Sequence, residues 1–503
     1  MVLLEAEVHS SLLGFLRERE RFHWQHHLTM GRLVARALRL QRSSLLQTGT
    51  TLHRYCLSYL TPALMGNDPA ILVAPDSELT RLLDVEIPKL EGWLQTEKAI
   101  VRGDRWPGED FQGLLLIEPK DWLADRLLSL GRIPDRIPTL IDRAEELETW
   151  TVHFLTGSIA PRDWIEAIES YPRHAELIRS IQAKLARSIL SHPPNPYGCY
   201  LIDATEREHL QSLLEVLTPE LPIESAFVRF WRKMGENNYL PWTSVNRETG
   251  QFTLQISPME VAGALKPIWP RQPFVLMGGF LDPEKSADLY RQQHGVGETL
   301  TVKFSADRES EFIHLYLPER LPAPNTPEFQ RMLIERSREL IDFFGDRSGS
   351  IVLIIEDVPL RSRIATLLAA DYGSRVQVEK NAIGANGILV CGWQFWREHQ
   401  EDFPIPHLLI VATLPLPSPE NPLVAGRIAY HKRQHRDWFR LYLLPTAVRE
   451  IQRSVMPSRS VRGIVAVLDT RVNARSYGKQ ILAALEPYAR VNYLDEQLFS
   501  EED

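Results

Sequence analysis

Cysteine is scarce. Three thiols in 503 residues, Cys56, Cys199 and Cys391, form no CxxC spacing and lie far apart. Three cannot supply the four thiolates of an iron–sulfur cluster, and their scarcity argues against a disulfide scaffold. Glycine is also sparse, at 27 residues, about 5% against a usual ~7%. That leaves little material for phosphate-cradling loops. No apolar run reaches the ~18 residues of a membrane span. The start, Met1-Val-Leu-Leu-Glu-Ala-Glu7, places acids where a secretion signal needs bases. A cytoplasmic protein with no membrane partner is expected. Nor is there a global excess of positive charge. Fifty-seven basic and 65 acidic residues leave −8, so the chain as a whole is no polycation.

What is present reads as a multidomain α/β protein. The first ~40 residues have helical spacing, with Leu12, Leu13, Phe15 and Leu16 followed by Leu33, Val34, Ala37 and Leu38. Short apolar runs then alternate with helical stretches: Ser44-Leu-Leu-Gln47, Ala70-Ile-Leu-Val-Ala74, Gly113-Leu-Leu-Leu-Ile117 and Thr139-Leu-Ile-Asp142. Such alternation predicts βαβ units and a parallel sheet buried on both faces. From Glu146 to Leu265 the pattern is mainly helical, broken at His192-Pro-Pro-Asn-Pro-Tyr197. Strand-like runs return at Pro273, Ser350, Gly387, His407 and Gly463. Charge is uneven along the chain. Between Arg427 and Lys479 twelve Lys/Arg face three Asp/Glu, a local +9, so the remainder sums to −17. Either a solvated helical face or a phosphate-facing surface accounts for this.

The C-terminal third contains Thr413-Leu-Pro-Leu-Pro-Ser-Pro-Glu-Asn-Pro-Leu-Val424, Leu443-Leu-Pro-Thr-Ala447, Arg462-Gly-Ile-Val-Ala-Val-Leu-Asp-Thr-Arg471 and Ser476-Tyr-Gly478. In order and spacing these resemble the C-terminal domain of the DinG/XPD family of superfamily 2 DNA helicases. Other landmarks follow the family order. Leu57-Ser-Tyr-Leu-Thr-Pro-Ala63 is similar to the helix after the P-loop, and Thr139-Leu-Ile-Asp-Arg-Ala-Glu-Glu-Leu-Glu148 to the Walker B segment. Phe274-Val-Leu-Met-Gly-Gly-Phe-Leu281 sits at the "VLTSATL" position and Gly392-Trp-Gln-Phe-Trp396 at "GxxSFWEG". The resemblance implies two RecA-like P-loop NTPase domains. Residues 1–145 and a return strand in 266–290 would form the first. An arch-like, mainly helical insertion would span 146–265, and the second domain 291–503. It also implies ATP and Mg²⁺ in the interdomain cleft, single-stranded DNA crossing both domains, and a DNA-repair or replication setting with protein partners.

Phosphoryl transfer on such a fold needs a glycine loop and lysine, a hydroxyl and an aspartate for Mg²⁺, a water-orienting carboxylate, and arginines. Aligned on the resemblance, the lysine and hydroxyl positions hold Tyr55 and Cys56. The preceding loop Thr48-Gly49-Thr50 keeps one glycine, and Arg54 is the only neighbouring substitute cation. Asp142 matches the metal-binding aspartate, but Arg143 stands where the catalytic Glu belongs, and Glu145 where the His does. The two arginine positions become Ser454 and Pro457, with Arg453 one residue away. His27 stands at the adenine-contacting Gln. Scaffold residues persist while the ionic parts fail at several places. The expectation is a helicase fold with degraded ATPase machinery that binds single strands. The alternatives are an active helicase using Arg54 and Arg453 as unorthodox ligands, and a non-catalytic interaction scaffold. Trp393, Trp396 and Arg427 are the candidate nucleic-acid contacts. His23, His26 and His27 lack a third ligand at a recognised metal spacing, and Gly278-Gly279 is too short for a dinucleotide loop.

Overall fold

The structure is a computed structural model. It describes residues 3–19, 24–50, 52–217, 219, 221–222, 225–306, 311–319, 321–324, 326–344 and 349–491, with backbone only at 52–54. The predicted apolar runs form two parallel sheets. The first contains β1 (Ser44–Gln47), β2 (Ala70–Val73), β3 (Ile100–Arg102), β4 (Leu114–Ile117) and β5 (Thr139–Ile141). The chain then leaves for an insertion and returns as β10 (Phe274–Gly278) and β11 (Leu300–Lys303). Strand order is β11-β1-β10-β5-β2-β4-β3. The continuous hydrophobicity of the central strands follows from burial on both faces: Leu46, Val275 and Met277 enter one core layer, Leu45, Phe274 and Leu276 the other.

The second sheet holds β12 (Ile313–Tyr316), β13 (Ser350–Ile354), β14 (Val376–Val378), β15 (Ile388–Cys391), β16 (Pro406–Val411), β17 (Ile464–Val467) and β18 (Tyr488–Val491). They run in the order β14-β15-β13-β16-β17-β12-β18, all parallel.

Two expected boundaries shift. β11 pairs with β1, Ser44 opposite Leu300, so the first sheet extends past residue 290. Its sequence, Leu-Thr-Val-Lys, is a half-exposed edge with no buried apolar run to announce it. The insertion is less helical than its composition suggests. It carries a four-stranded antiparallel sheet, β6 (Gly157–Ile159), β7 (Cys199–Leu201), β8 (Tyr239–Asn246) and β9 (Gln251–Pro258), ordered β6-β9-β8-β7. In β9 burial alternates residue by residue, the period-two signature of a half-buried strand. The insertion's own core runs from Ile159 to Ile256, whereas Leu147, Val261, Leu265 and Trp269 join the first-domain core. Helix Pro422–Arg433 of the second domain packs on β7. At Gly426 an added Cβ would lie 2.5 Å from the Leu240 side chain, so the insertion and second domain meet closely there. Among the described residues no helix is long and apolar enough to cross a membrane.

Candidate nucleotide cleft

Strand β1 ends in the loop that should cradle phosphate. Its amides are already committed: Thr48 N–H donates to the Gly278 carbonyl at 2.8 Å and Gly49 N–H to that of Gly279 at 3.0 Å. The Thr48 hydroxyl turns inward as well, to the carbonyls of Thr50 and Gly278. Gly49 has φ +65, and an added Cβ would meet the Phe304 carbonyl at 3.0 Å. Glycine is required there by both strain and space. Thr50 is buried with its hydroxyl unpartnered. The Arg54 side chain lies outside the described residues.

Helix Leu52–Met65 then carries Tyr55 and Tyr59 on one face, four residues apart. Both point at the end of β5. The Tyr55 hydroxyl donates to Asp142 Oδ1 at 2.6 Å, and the Tyr59 hydroxyl to Oδ2 at 2.5 Å. Arg143 N–H adds a 2.8 Å bond to Oδ1. All three side chains are essentially inaccessible. Burial pushes the Asp142 carboxyl up to about 7, against the opposing pull of the two hydroxyls. Burial, then the neighbouring Asp142 charge, raises both tyrosines well above their ordinary range. Cys56 faces the core, where burial lifts its thiol to about 12.

Beyond Asp142 the chain turns through Arg143 at φ +51 into a short acidic segment facing the second domain. Arg143 reaches Glu401 at 3.8 Å. Arg453, from helix Leu444–Arg459, lies 3.0 Å from Glu146 and 4.0 Å from Glu145. Arg427 pairs with Glu148 and lies over the Tyr442 ring at 4.3 Å. Burial opposes ionisation of Glu148, yet Arg427 and Arg449 outweigh it and hold its carboxyl at about 2. To one side the cleft opens into a cavity of about 1050 Å³ lined by Gly49, Phe280, Lys303, Phe304, Gln452 and Tyr488, among others.

Comparison with known proteins agrees with this architecture. The Helicase C-terminal domain family matches residues 402–488. The ATP-dependent DNA helicase YoaA of Escherichia coli (strain K12) is 23% identical over 253 residues, covering 48% of this chain and 40% of that protein. The ATP-dependent helicase DinG of Mycobacterium tuberculosis (strain ATCC 25177 / H37Ra) is 26% identical over 260 residues, covering 48% and 39%. The chain thus matches about 40% of the length of these curated relatives. Among solved structures, an XPD helicase superposes with TM-score 0.60 at 12% identity, covering 94% of this chain and all of that one. Xpd4 of S. tokodaii gives 0.58 at 14% identity, covering 93% and 100%. In its C-terminal domain and in its two-sheet fold the chain is similar to the DinG/XPD-like helicases of superfamily 2.

Within this DinG/XPD-like chain the expected site residues have separate fates. Thr48, Gly49, Thr50, Tyr55, Asp142, Arg143 and Arg453 converge on the cleft. The nucleic-acid candidates do not form a surface. Trp396 is fully buried and donates its indole N–H to the Ser454 carbonyl at 3.3 Å. Trp393 is 5% exposed in the same core. Neither presents a ring face for base stacking, because both help fill the layer between β15, β16 and helix Leu444–Arg459. Arg427 is spent on Glu148. His27 shares a hydrogen bond with Ser58 inside the first domain instead of facing the cleft. Sequence reasoning missed Tyr59, Glu146 and Glu148. A tyrosine pair at i, i+4 on the helix after a P-loop was the available signal for the first.

Proposed function

We propose that this DinG/XPD-like chain binds single-stranded DNA without hydrolysing ATP. The observation that carries the reading is the Asp142 carboxylate, both of whose oxygens accept tyrosine hydroxyls while Tyr55 stands at the phosphate-lysine position. The residues present do not fit a Mg²⁺-triphosphate. The metal-binding aspartate is capped, position 56 offers a thiol whose burial keeps it protonated, and two loop amides are already bonded. Arg143, at the water-orienting position, has the wrong sign to act as a base. No step of phosphoryl transfer follows from this arrangement.

DNA as the ligand is supported by the similarity to the DNA helicase YoaA and by exposed cations of the basic segment, Lys432, Arg433, Arg475 and Lys479. Three free, buried cysteines suit the cytoplasmic setting proposed with it. Calorimetry with millimolar ATP·Mg²⁺ should give no binding heat, and single strands should bind with affinity falling steeply with salt. DNA-stimulated phosphate release that Asp142→Asn abolishes would overturn the proposal. A second reading is favoured by the burial of Trp393 and Trp396 and by the pairing of Arg427 and Arg453: a scaffold for a repair or replication protein. Failure to bind single strands at low salt would select it.

A further inference from the structure

The contacts that bridge the two sheet domains share one chemical pattern. The segment after β5 sends Glu145, Glu146 and Glu148 across the cleft, and second-domain helices answer with Arg453 and Arg427. Arg143–Glu401 crosses in the opposite sense. Glu145 is seated with particular care. The Gly279 N–H points at its Oε1 at 3.4 Å, and a Cβ added at Gly278 would come within 1.9 Å of its Oε2. The glycine pair at the end of β10, which serves no dinucleotide loop, is therefore the slot that admits this carboxylate. Burial raises the Glu145 carboxyl, with Arg453 opposing. Burial also works against the Arg453 charge, which Glu146 and Glu145 more than restore.

An arginine reaching across such a cleft ordinarily neutralises charge on a phosphoryl group. Here a protein carboxylate stands in that place. We infer that Glu145 and Glu146 act as a built-in anionic ligand for Arg453, holding the two domains closed with no nucleotide present. A ligand shifts a conformational equilibrium only through differential affinity for its two states, and a cleft already closed by its own carboxylates leaves a nucleotide none to exploit. This closure goes beyond the proposed lack of hydrolysis, and either can fail without the other.

The test uses the full chain with spin labels at Lys120→Cys and Glu328→Cys, exposed positions on the two domains, against native cysteines that are all buried. Pulsed electron–electron distance measurements should give one narrow population without nucleotide, unmoved by ATP·Mg²⁺. Glu145→Gln with Glu146→Gln, which removes charge without adding bulk, should raise the open fraction about tenfold, as expected for a part-buried arginine that loses both carboxylates reaching it across the cleft and keeps only Glu450 of its own helix. Arg453→Glu should open the cleft, and Arg453→Glu with Glu146→Arg should close it again. Three outcomes overturn the inference: a wild-type distribution that contracts on adding ATP·Mg²⁺, a double-glutamine variant indistinguishable from wild type, or a charge swap as open as the single variant. Should Arg453→Glu fail to fold by circular dichroism, the double-glutamine comparison decides alone. Phosphate release, measured in parallel, bears only on hydrolysis.

Discussion

Replacing Tyr55 with phenylalanine removes one hydroxyl from a buried carboxylate and leaves the ring volume intact. No cavity forms, so the loss isolates the hydrogen bond. The bond is 2.6 Å long and ends on a charged acceptor with no access to water. Hydrogen bonds to charged groups contribute ~1.5–3 kcal/mol, with the upper end applying when the partner stays buried and unsatisfied. The effect should depend on pH because Asp142 titrates at about 7. At pH 8 the carboxylate is charged and needs both donors, so the cost sits near the upper end. At pH 6 it is mostly protonated, and the cost falls below about 1.5 kcal/mol. With ~2–4 °C per kcal/mol for a domain of this size, the melting temperature at pH 8 should fall by about 6–12 °C. Tyr59→Phe should behave alike, and the double variant should lose less than the sum, since both donors serve one carboxylate. Melting curves of the full chain at pH 6 and 8 make the measurement. A change under about 0.5 kcal/mol at pH 8 for either variant refutes the tyrosine clasp, because surface-like insensitivity cannot accompany a buried charged acceptor.

Two further expectations concern the same architecture. An acid whose folded pKa lies above its unfolded one binds its proton preferentially in the folded state, so its contribution to stability falls as pH rises between the two values. For Asp142 that window runs from 3.8 to about 7. Asp142→Asn should therefore gain on wild type across it, on the order of 4 kcal/mol by denaturant titration at pH 4 and pH 8; a flat difference would contradict the assignment. Trp396→Ala should cost ~3–5 kcal/mol as a core cavity while leaving single-strand affinity of the folded fraction unchanged. Weakened DNA binding at constant stability would instead restore the stacking role that burial rules out.

The parallel sheets were legible because residues such as Leu45 and Leu46, or Leu276 and Met277, must be apolar on both faces of a central strand. The edge strand Leu300–Lys303 and the hairpin Tyr239–Pro258 were not. One is half-solvated and the other alternates within a helical neighbourhood, so neither leaves an unbroken apolar run. Trp393 and Trp396 show the converse failure. An aromatic beside basic residues reads the same whether it faces solvent or the core, and only packing against β15, β16 and the Arg453 helix distinguishes the two.

The missing parts of the phosphate site were determined by sequence alone. Tyr55 and Cys56 stand where the resemblance places a lysine and a hydroxyl, and the loop before them keeps one glycine, Gly49, so these departures show in single residues. What fills the vacated space was decided by tertiary structure. Tyr55 and Tyr59 lie more than eighty positions from Asp142, and Arg453 more than three hundred from Glu146. Their convergence depends on strand order and on the two domains meeting. Loss of a charge is local and shows in one residue. Its replacement by a hydrogen bond or an ion pair is a relation between distant segments, which exists only once the sheets have assembled.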